Sequence, residues 1–355
     1  PATAKNRPSS WQRKRRCPLW AMKHKNVAFF IPHLGCPYRC SFCDQKAISG
    51  NISAPSVEEV QRTLADAKSH IADRSNTEIA FFGGSFTALP EDTMRKYLEA
   101  AKPFLGKDGF AGIRISTRPD AVSSGLLSWL KQYGVSAVEF GAQSMKNDVL
   151  KRNGRGHTAE DVEHASHLVK EAGLSLGLQM MVGLPGDTKP SDAWFTAKRL
   201  LALTPDTMRI YPAVILPHTK LAVWYQSGEY VPMDFDTAVS VCAGLLWLFH
   251  QNGIPVIRLG LHDSPEVAVQ HVGGIYHPAF RELCENALYL GRAEKALLGK
   301  AYGHYIAEVG PGCISKMVGQ NRKNLLDLEQ KGYYLHVREN PGLKKYEIMM
   351  KGGEK

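Results

Sequence analysis

Cys36, Cys40 and Cys43 follow one another with the spacing C-x3-C-x2-C, which places three thiolates in one short loop. Three such thiolates can bind three irons of a cubane cluster, whereas a complete [4Fe–4S] site in a protein normally uses four cysteines. One iron would therefore stay open to a ligand from outside the protein. This is the logic of a catalytic metal site, which keeps an open position, as opposed to a closed structural site.

Two other interpretations of these cysteines are open at this stage. A structural zinc site needs a fourth ligand, which His33 or Asp44 could supply. The cysteines could also be inert thiols. A disulfide fits poorly, because an odd number of clustered cysteines is typical of metal binding or catalysis in a reducing compartment. Cys242 lies on an apolar helical face and is predicted to belong to the core.

The elements that must position this loop alternate between strands and helices. Short apolar runs recur along the chain, separated by amphipathic stretches of about 10–15 residues, which is the pattern of βαβ units and a parallel sheet. The repeats predict an incomplete (β/α)6 barrel of the TIM type, in which functional groups gather at the C-terminal ends of the strands. The predicted strands cover residues 27–32, 78–82, 112–116, 135–140, 174–182, 206–211 and 254–259.

Polar and glycine-rich motifs follow these strands where each one ends. Together they offer hydroxyl, amide, guanidinium and carboxylate groups around one predicted cavity, which would suit a ribose, a carboxylate and an adenine edge. Each residue alone could equally be a helix cap or a satisfied core polar group. The residues are Gly83, Gly84 and Ser85 after the second strand, Ser116 after the third, Glu139 and Gln143 at the fourth, Arg155 before the next helix and Gln179 in the fifth.

The cysteine spacing, with the aromatic Phe42 before the last cysteine, resembles the signature of the radical S-adenosylmethionine (SAM) superfamily. The resemblance implies a [4Fe–4S] cluster on Cys36, Cys40 and Cys43 whose fourth iron is bound by the amino and carboxylate groups of SAM. It implies that one-electron reduction cleaves SAM to methionine and a 5′-deoxyadenosyl radical, which takes a hydrogen atom from the substrate. An electron donor such as flavodoxin or ferredoxin is implied as well.

Further motifs resemble the radical SAM part of the Elongator catalytic-subunit family, especially its short bacterial relatives, from about residue 26 to residue 289. This resemblance implies modification of RNA, specifically tRNA. Full-length members also carry an acetyltransferase domain, whereas this chain has 94 residues after Leu261 and no clear acetyl-CoA-binding pattern. The motifs are Phe-Gly-Gly-Ser-Phe-Thr, Ser-Thr-Arg-Pro-Asp, Gly-Arg-Gly-His-Thr, Leu-Gln-Met-Met-Val-Gly-Leu-Pro-Gly-Asp-Thr and Arg-Ile-Tyr-Pro, in that order.

The spacing also resembles the oxygen-independent coproporphyrinogen oxidase family. The SAM ligands of that family correspond here to Gly83, Gly84, Ser85, Ser116, Gln143, Arg155 and Gln179, to which we add Phe42 and Glu139 as cofactor-binding residues. Two acids of that family are replaced, by Ser116 and Gln179. This second resemblance keeps a small-molecule substrate as an alternative to RNA. A zinc-stabilised RNA-binding module without redox activity is the third hypothesis.

The charge of the chain is concentrated at its start. Of the 355 residues, 44 are Lys or Arg and 34 are Asp or Glu, and residues 1–25 hold eight of the basic residues and no acid. The remaining chain is almost neutral, which excludes a uniformly basic nucleic-acid binder. We expect residues 1–25 to be a disordered extension and Met22 to be the natural start. Neither a signal peptide nor a transmembrane run is expected, which favours the cytoplasm.

The predicted organisation has a radical SAM core at residues 26–261, a covering extension at 262–312 and a small basic α+β unit at 313–355. The last unit holds nine Lys or Arg against five acids. Basic side chains beside its two predicted strands could follow a phosphate backbone. A solvated cap over the open barrel is the alternative interpretation.

Overall fold

The main sheet of the protein has seven parallel strands hydrogen-bonded in chain order. The computed structural model describes residues 25–32, 34, 36–37, 39–45, 53–261 and 265–352, so that Met22, His33 and nearly all of the predicted extension lie outside it. The structure confirms the seven predicted strands, and the observed strand boundaries agree with the predicted ones to within three residues. They are β1 (Lys25–Ile31), β2 (Thr77–Gly83), β3 (Ile113–Thr117), β4 (Val135–Gln143), β5 (Ser175–Val182), β6 (Thr207–Pro212) and β8 (Val256–Leu259).

Helices connect the strands and begin where the sequence carries capping residues. The Ser56 side chain accepts a hydrogen bond from the amide of Glu59, and the Glu59 side chain accepts one from the amide of Ser56, which is a capping box. A second capping box joins Thr158 and Asp161. The helices are α1 (Val57–His70), α2 (Glu91–Ala101), α3 (Ser124–Gln132), α4 (Asn147–Arg152), α5 (Ala159–Glu171), α6 (Pro190–Ala202), α7 (Lys220–Gln226) and α8 (Phe235–Gln251).

The sheet is an open barrel, because its order leaves β1 and β8 as the two edges. This confirms the predicted incomplete barrel of alternating strands and helices. Side chains alternate across each strand, so that Ile79 and Phe81 of β2 lie in the apolar core while Phe82 faces the inside of the barrel. Directly after β6 in the chain, β7 (Val214–Ile215) forms a short antiparallel pair with β9 (Gly273–Gly274).

The C-terminal part adds a second, three-stranded sheet in the order β11-β10-β12. Its central strand, residues 303–309, was missed from the sequence, so the small unit begins before residue 313 and the predicted boundary there is corrected. A central strand contacts partners that are distant in sequence, and only the folded chain reveals them. The elements are α9 (Pro265–Gln270), α10 (Phe280–Leu297), β10 (Gly303–Val309), α11 (Ile314–Val318), α12 (Lys323–Gln330), β11 (Tyr333–Glu339) and β12 (Ile348–Gly352).

Acidic residues that precede residue 313 balance much of the charge of the small unit. The carboxylate of Glu308 lies 2.6 Å from Arg338 and 2.8 Å from Lys351. Glu285 of α10 lies 2.9 Å from Lys345 and 3.9 Å from Lys316. An ion pair also joins Lys331 to Glu294 on α10. The excess positive charge read from residues 313–355 alone is therefore largely offset in the folded protein.

Transmembrane insertion finds no support in the helices that the structure describes. None of these helices is both long and apolar enough to cross a bilayer.

Candidate active site at the strand ends

A cavity of about 680 Å³ opens where the strands end, within the size range of small-molecule sites. The structure places every site residue predicted from the sequence on the wall of this one cavity. Their roles in binding stay predictions, since position alone assigns no ligand. The residues are Cys36, Cys40, Phe42, Cys43, Gly83, Gly84, Ser85, Ser116, Glu139, Gln143, Arg155 and Gln179.

The cysteine loop is fastened to the rest of the barrel through Ser41. Its amide donates to the carbonyl of Asn153 at 3.0 Å, and its hydroxyl donates to the Asn153 side chain at 2.7 Å. On the other side, the amide of Leu221 in α7 donates to the Ser41 carbonyl at 2.7 Å. Because Ser41 is buried, these bonds are shielded from water and hold the loop in place beside the cavity.

Two thiols of this loop, Cys43 and Cys36, have raised pKa values. Burial first, and the neighbouring Cys40 and Cys36 second, raise the pKa of Cys43 to about 12. Burial likewise raises the pKa of Cys36. Metal binding must therefore release these protons. The positive charge of Arg155 acts in the opposite direction and lowers the pKa of Cys36 and Cys43, and its Nη1 donates to Cys40 Sγ at 3.2 Å.

Among the described residues, no three His, Cys, Asp or Glu side chains converge on a point where one metal ion could sit. A cubane cluster does not need such convergence, because each thiolate binds a different iron. His33, which could complete a zinc site, lies outside the described residues. Cys242 is buried in the apolar core, as predicted.

The Gly-Gly turn after β2 lets that strand approach the segment leading into the cysteine loop. A Cβ atom on Gly84 would lie 2.0 Å from the carbonyl oxygen of Leu34, and Gly83 has φ +106°. The amide of Gly84 donates to Ile31 and that of Ser85 donates to Leu34. The amides of Gly84 and Ser85 are therefore used within the protein, and the turn can offer carbonyl acceptors to a ligand.

Ser85 also has a structural use for its side chain. Its hydroxyl lies 2.8 Å from that of Thr117, which in turn lies 2.5 Å from the hydroxyl of Thr87. The amide of Arg118 donates to the Ser85 hydroxyl at 3.3 Å. This buried network joins the ends of β2 and β3 and shapes one wall of the cavity.

Glu139 is the centre of a buried polar network at the floor of the cavity, and its side chain is almost fully shielded from solvent. Arg209 Nε lies 2.8 and 2.9 Å from its two oxygens, and Arg114 lies 3.7 Å away. Ser116 and Gln179 both donate to its Oε1. These are the two positions where acids of the related family are replaced. Acids there would face Glu139 and repel it, whereas the neutral donors stabilise its charge.

Gln143 and Arg155 leave buried polar atoms unused at the end of β4. Gln143 adopts the left-handed backbone region with φ 66°, where the register of β4 against β5 shifts. Arg155 Nη2 donates to the carbonyl of Gly141 at 2.5 Å. Within the described part of the chain, Gln143 Oε1 and Arg155 Nε have no hydrogen-bond partner. An unpaired buried polar atom costs free energy, and a ligand in the cavity could remove that cost.

Several cavity residues were missed from the sequence. Charged residues inside strands of a parallel sheet were the available signal, because such strands are normally apolar throughout. Arg209 and Arg258 are paired in register on β6 and β8 and both line the cavity. Arg209 also lies over the ring of Phe82 at 4.8 Å. Asn26 on the edge strand β1 is a further missed residue.

Three other side chains, Tyr211, His157 and His277, carry groups that could act on a substrate. Tyr211 lines the cavity. His157 is buried behind the wall, where burial first and Arg155 second lower its pKa to about 3. His277 Nδ1 accepts a hydrogen bond from the amide of Ala279 at 3.0 Å, in the turn before α10, which gives its ring a structural contact.

The described residues thus form an open parallel barrel with a three-cysteine loop after β1 and a polar cavity at its strand ends. The profile of the Radical SAM superfamily matches residues 30–197, and that of the Radical_SAM C-terminal domain matches residues 205–289. The chain belongs to the radical SAM superfamily, a superfamily of enzymes.

Relatives of known name fall into the group that the motifs indicated. A tRNA uridine(34) acetyltransferase from Dehalococcoides mccartyi is 26% identical over 282 residues, which is 68% of this chain and 60% of that protein. Human Elongator complex protein 3 is 30% identical over 201 residues, or 50% of this chain and 36% of that protein. The chain thus spans less than two thirds of either relative.

Among solved structures, Elp3 from the archaeon Methanocaldococcus infernus shares the fold. It has a TM-score of 0.59 and 21% identity, over 76% of this chain and 63% of that one. The agreement supports the barrel architecture.

Proposed function

We propose that this chain is a radical SAM enzyme that holds a [4Fe–4S] cluster on Cys36, Cys40 and Cys43 and binds SAM in the adjoining cavity. The observation that carries the proposal is that the cysteine loop lines the same cavity as Gln143 and Arg155, two residues that each hold an unpaired buried polar atom. When bound, the cluster and SAM supply a 5′-deoxyadenosyl radical after one-electron reduction, and this radical takes a hydrogen atom from the substrate.

Arg155 is the residue best placed to link the two cofactors. One guanidinium nitrogen contacts Cys40 Sγ, a second is fixed on the Gly141 carbonyl, and Nε remains available. Its positive charge favours thiolate ligands and an anionic group such as a carboxylate beside them. Gln143 offers an acceptor for a hydroxyl or amino group of the ligand.

Acceptor groups at the Gly83–Gly84 turn suit the amino group of SAM. The Gly83 carbonyl accepts one hydrogen bond from Gln45 at 2.8 Å, and a carbonyl oxygen can accept two. Phe42 packs against two apolar clusters, one around Leu221 and one around Leu184. It thereby forms an apolar wall that excludes water from the reacting atoms.

Replacing Cys36, Cys40 and Cys43 together with Ala tests the cluster. We expect the anaerobically reconstituted variant to lose its iron, its sulfide and the broad visible absorption of the cluster, because no thiolate remains. Cys242→Ala is the matched control and should keep all three signals, since Cys242 lies in the core. Iron and sulfide that persist in the triple variant would refute the proposal, and stoichiometric zinc in the wild-type protein would favour the zinc alternative.

The proposal extends to the substrate, for which we favour tRNA. Two relatives are named for tRNA uridine modification or for Elongator, and an exposed face of the C-terminal sheet offers suitable chemistry. His304 and Tyr334 stack on this face with ring centroids 4.9 Å apart and an interplanar angle of 21°. His336 and Arg338 follow on the same face of β11. The acetyl transfer named for the relatives is not proposed for this chain.

Stacking should contribute more to RNA binding here than phosphate contacts do. Arg338 and Lys351 already pair with Glu308, so few free charges remain on this face. Base–aromatic stacking contributes about 1–3 kcal/mol per base. We therefore expect Tyr334→Ala to weaken tRNA binding by roughly tenfold and the dependence on salt to be shallow.

The measurement uses protein that starts at Met22, so that the basic extension cannot contribute, and total tRNA at two salt concentrations. Phe195→Ala removes a comparably exposed aromatic side chain from the outer surface of the barrel and is the matched control. Binding that is absent in the wild type, or equal in both variants, would favour the small-molecule alternative.

A further inference from the structure

A basic surface lies on the outer side of the cysteine loop. We define this cluster-side surface by three exposed cations, Lys151, Arg152 and Lys220. Lys151 and Arg152 end α4, and Lys220 begins α7. The proposed function uses none of them.

The hydrogen bonds of Ser41 fix this surface relative to the thiols. The acceptor Asn153 directly follows Arg152, and the donor Leu221 directly follows Lys220. A Cβ atom on Gly154 would lie 3.0 Å from the carbonyl oxygen of Arg39, so the end of α4 packs closely on the loop. Arg152 and Lys220 therefore each lie one residue away from a bond that holds the cysteine loop.

One buried ring organises two of these cations. The guanidinium of Arg152 lies 5.9 Å and the ammonium of Lys220 lies 4.7 Å from the Trp224 ring, which is 8% exposed. Cation–π attraction holds both heads at one place. Glu229 approaches Arg152 to 3.9 Å, and Asp148 lies at the far end of α4, so that cations predominate at the loop.

An exposed apolar side chain accompanies the charges on α7. Val223, three residues after Lys220, is 62% exposed. A small apolar area with a charged surround is what a weak, transient interface needs. Charges at its rim attract the partner and speed association, while the small area permits rapid release.

We infer that the cluster-side surface docks an acidic one-electron carrier protein of the flavodoxin or ferredoxin class. The inference rests on the proposed function, which consumes one electron for each SAM cleaved. The electron leaves the reduced carrier, for example a flavin hydroquinone that becomes the semiquinone. It ends in the C5′–S bond of the sulfonium, which breaks to give methionine and the 5′-deoxyadenosyl radical.

The position and chemistry of the surface favour a carrier protein over RNA. It is attached to the loop that carries the thiols, where a carrier must approach for electron transfer. Its aromatic ring, Trp224, is covered by Arg152 and Lys220 and cannot stack on a base. Positive charges on a compact surface complement an acidic protein.

Charge reversal tests the inference with the full-length holoenzyme. In the double variant Arg152→Glu/Lys220→Glu we expect flavodoxin-driven SAM cleavage and the affinity for flavodoxin, measured by calorimetry, each to fall by about tenfold or more at low salt. The wild-type rate should fall with added salt and the variant rate should not. Dithionite, a small chemical reductant, should drive SAM cleavage equally in both proteins.

Lys107→Glu is the matched control. Lys107 is exposed in the segment before β3, on the side of the sheet where the strands begin, whereas the cysteine loop lies where they end. If the double variant binds less cluster than the wild type, the milder single variants Arg152→Gln and Lys220→Ala provide the test, provided that their cluster content equals that of the wild type. For these variants we expect a smaller decrease in flavodoxin-driven SAM cleavage and in the affinity for flavodoxin.

Wild-type affinity and rate with flavodoxin in these variants would overturn the inference. So would variants that lose tRNA binding and keep wild-type reduction by flavodoxin, because the surface would then belong to RNA. Failure of dithionite to drive SAM cleavage in the wild type would instead count against the proposed function. The calorimetric measurement with flavodoxin still decides the docking surface in that case.

Discussion

Two buried carboxyl groups, Asp187 after the barrel strand β5 and Glu285 at the junction of α10 with the C-terminal sheet, have opposite surroundings. After β5, both carboxylate oxygens of Asp187 are buried and lack a hydrogen-bond partner among the described residues, and burial raises the pKa of Asp187 to about 7. At the junction, burial opposes ionisation of Glu285, yet Lys345 and Arg281 lower its pKa.

A similar contrast separates two residues of the cavity wall from Glu308, although Glu139 at the cavity floor is paired with Arg209 and Gln179. Gln143 and Arg155 keep unused atoms at the cavity, whereas Glu308 in the C-terminal sheet accepts bonds from Arg338, Lys351 and Asn340. Satisfied groups hold two parts of the chain together. Unsatisfied groups reduce stability, and their concentration around one cavity is therefore a signal of ligand binding.

Asp187→Asn should produce the largest change in stability. The pKa of Asp187 lies near 7 in the folded protein and near 4 in an unfolded chain, so ionisation destabilises the fold progressively between these values. The penalty is absent below about pH 4 and complete above about pH 7. We expect the variant to gain up to about 4 kcal/mol at pH 8 and little near pH 4.5, by the 1.36 kcal/mol per pKa unit of linkage.

Urea unfolding of both proteins at the two pH values measures this difference. Equal stability of wild type and variant at pH 8 would show that a partner stabilises the ionised Asp187 carboxylate. Asp187 and Glu285 would then have similar surroundings and not opposite ones.

Gln143→Ala and Arg155→Ala should come next in size, and they should affect binding. Loss of a polar or charge-assisted contact weakens SAM binding by about 1–3 kcal/mol, which is roughly 5- to 150-fold in the dissociation constant. Because Gln143 Oε1 has no partner in the protein, Gln143→Ala should leave the free energy of unfolding almost unchanged.

Calorimetry with SAM on cluster-loaded protein provides the test. Gln132→Ala, which removes an exposed glutamine from the end of α3, is the control. Wild-type affinity in both cavity variants would mean that the unused atoms do not serve the cofactor.

Glu285→Gln should have the smallest effect and the opposite sign to Asp187→Asn. Removing the charge weakens the contacts with Lys345, Arg281 and the Tyr346 hydroxyl. Since Lys345 and Arg281 are about one third exposed or more, we expect a loss of only about 1–2 kcal/mol at pH 7. The folded pKa of Glu285 is lowered, so this stability is present above about pH 4.5 and disappears as the pH falls through the folded pKa.

Unfolding at pH 7 and pH 3.5 tests the sign as well as the size. A difference between wild type and variant that grows on acidification would contradict the ion-pair explanation.

Local patterns in the sequence determined the barrel and the cysteine loop. Strand and helix periodicity, capping residues such as Ser56 and the spacing of Cys36, Cys40 and Cys43 act over a few residues, so they can be read without the fold. Because parallel strands end at one edge, their order along the chain also places the polar motifs around one cavity.

Only the tertiary structure decided how distant polar groups are paired. The contacts of Glu139 with Ser116, Gln179 and Arg209 join residues from four strands, and no local pattern reveals them. The central position of β10 and the ion pairs of Glu285 depend equally on segments far apart in sequence. Charge can be counted along a chain. Whether that charge is free or neutralised depends on distances between residues, and those distances exist only in the folded protein.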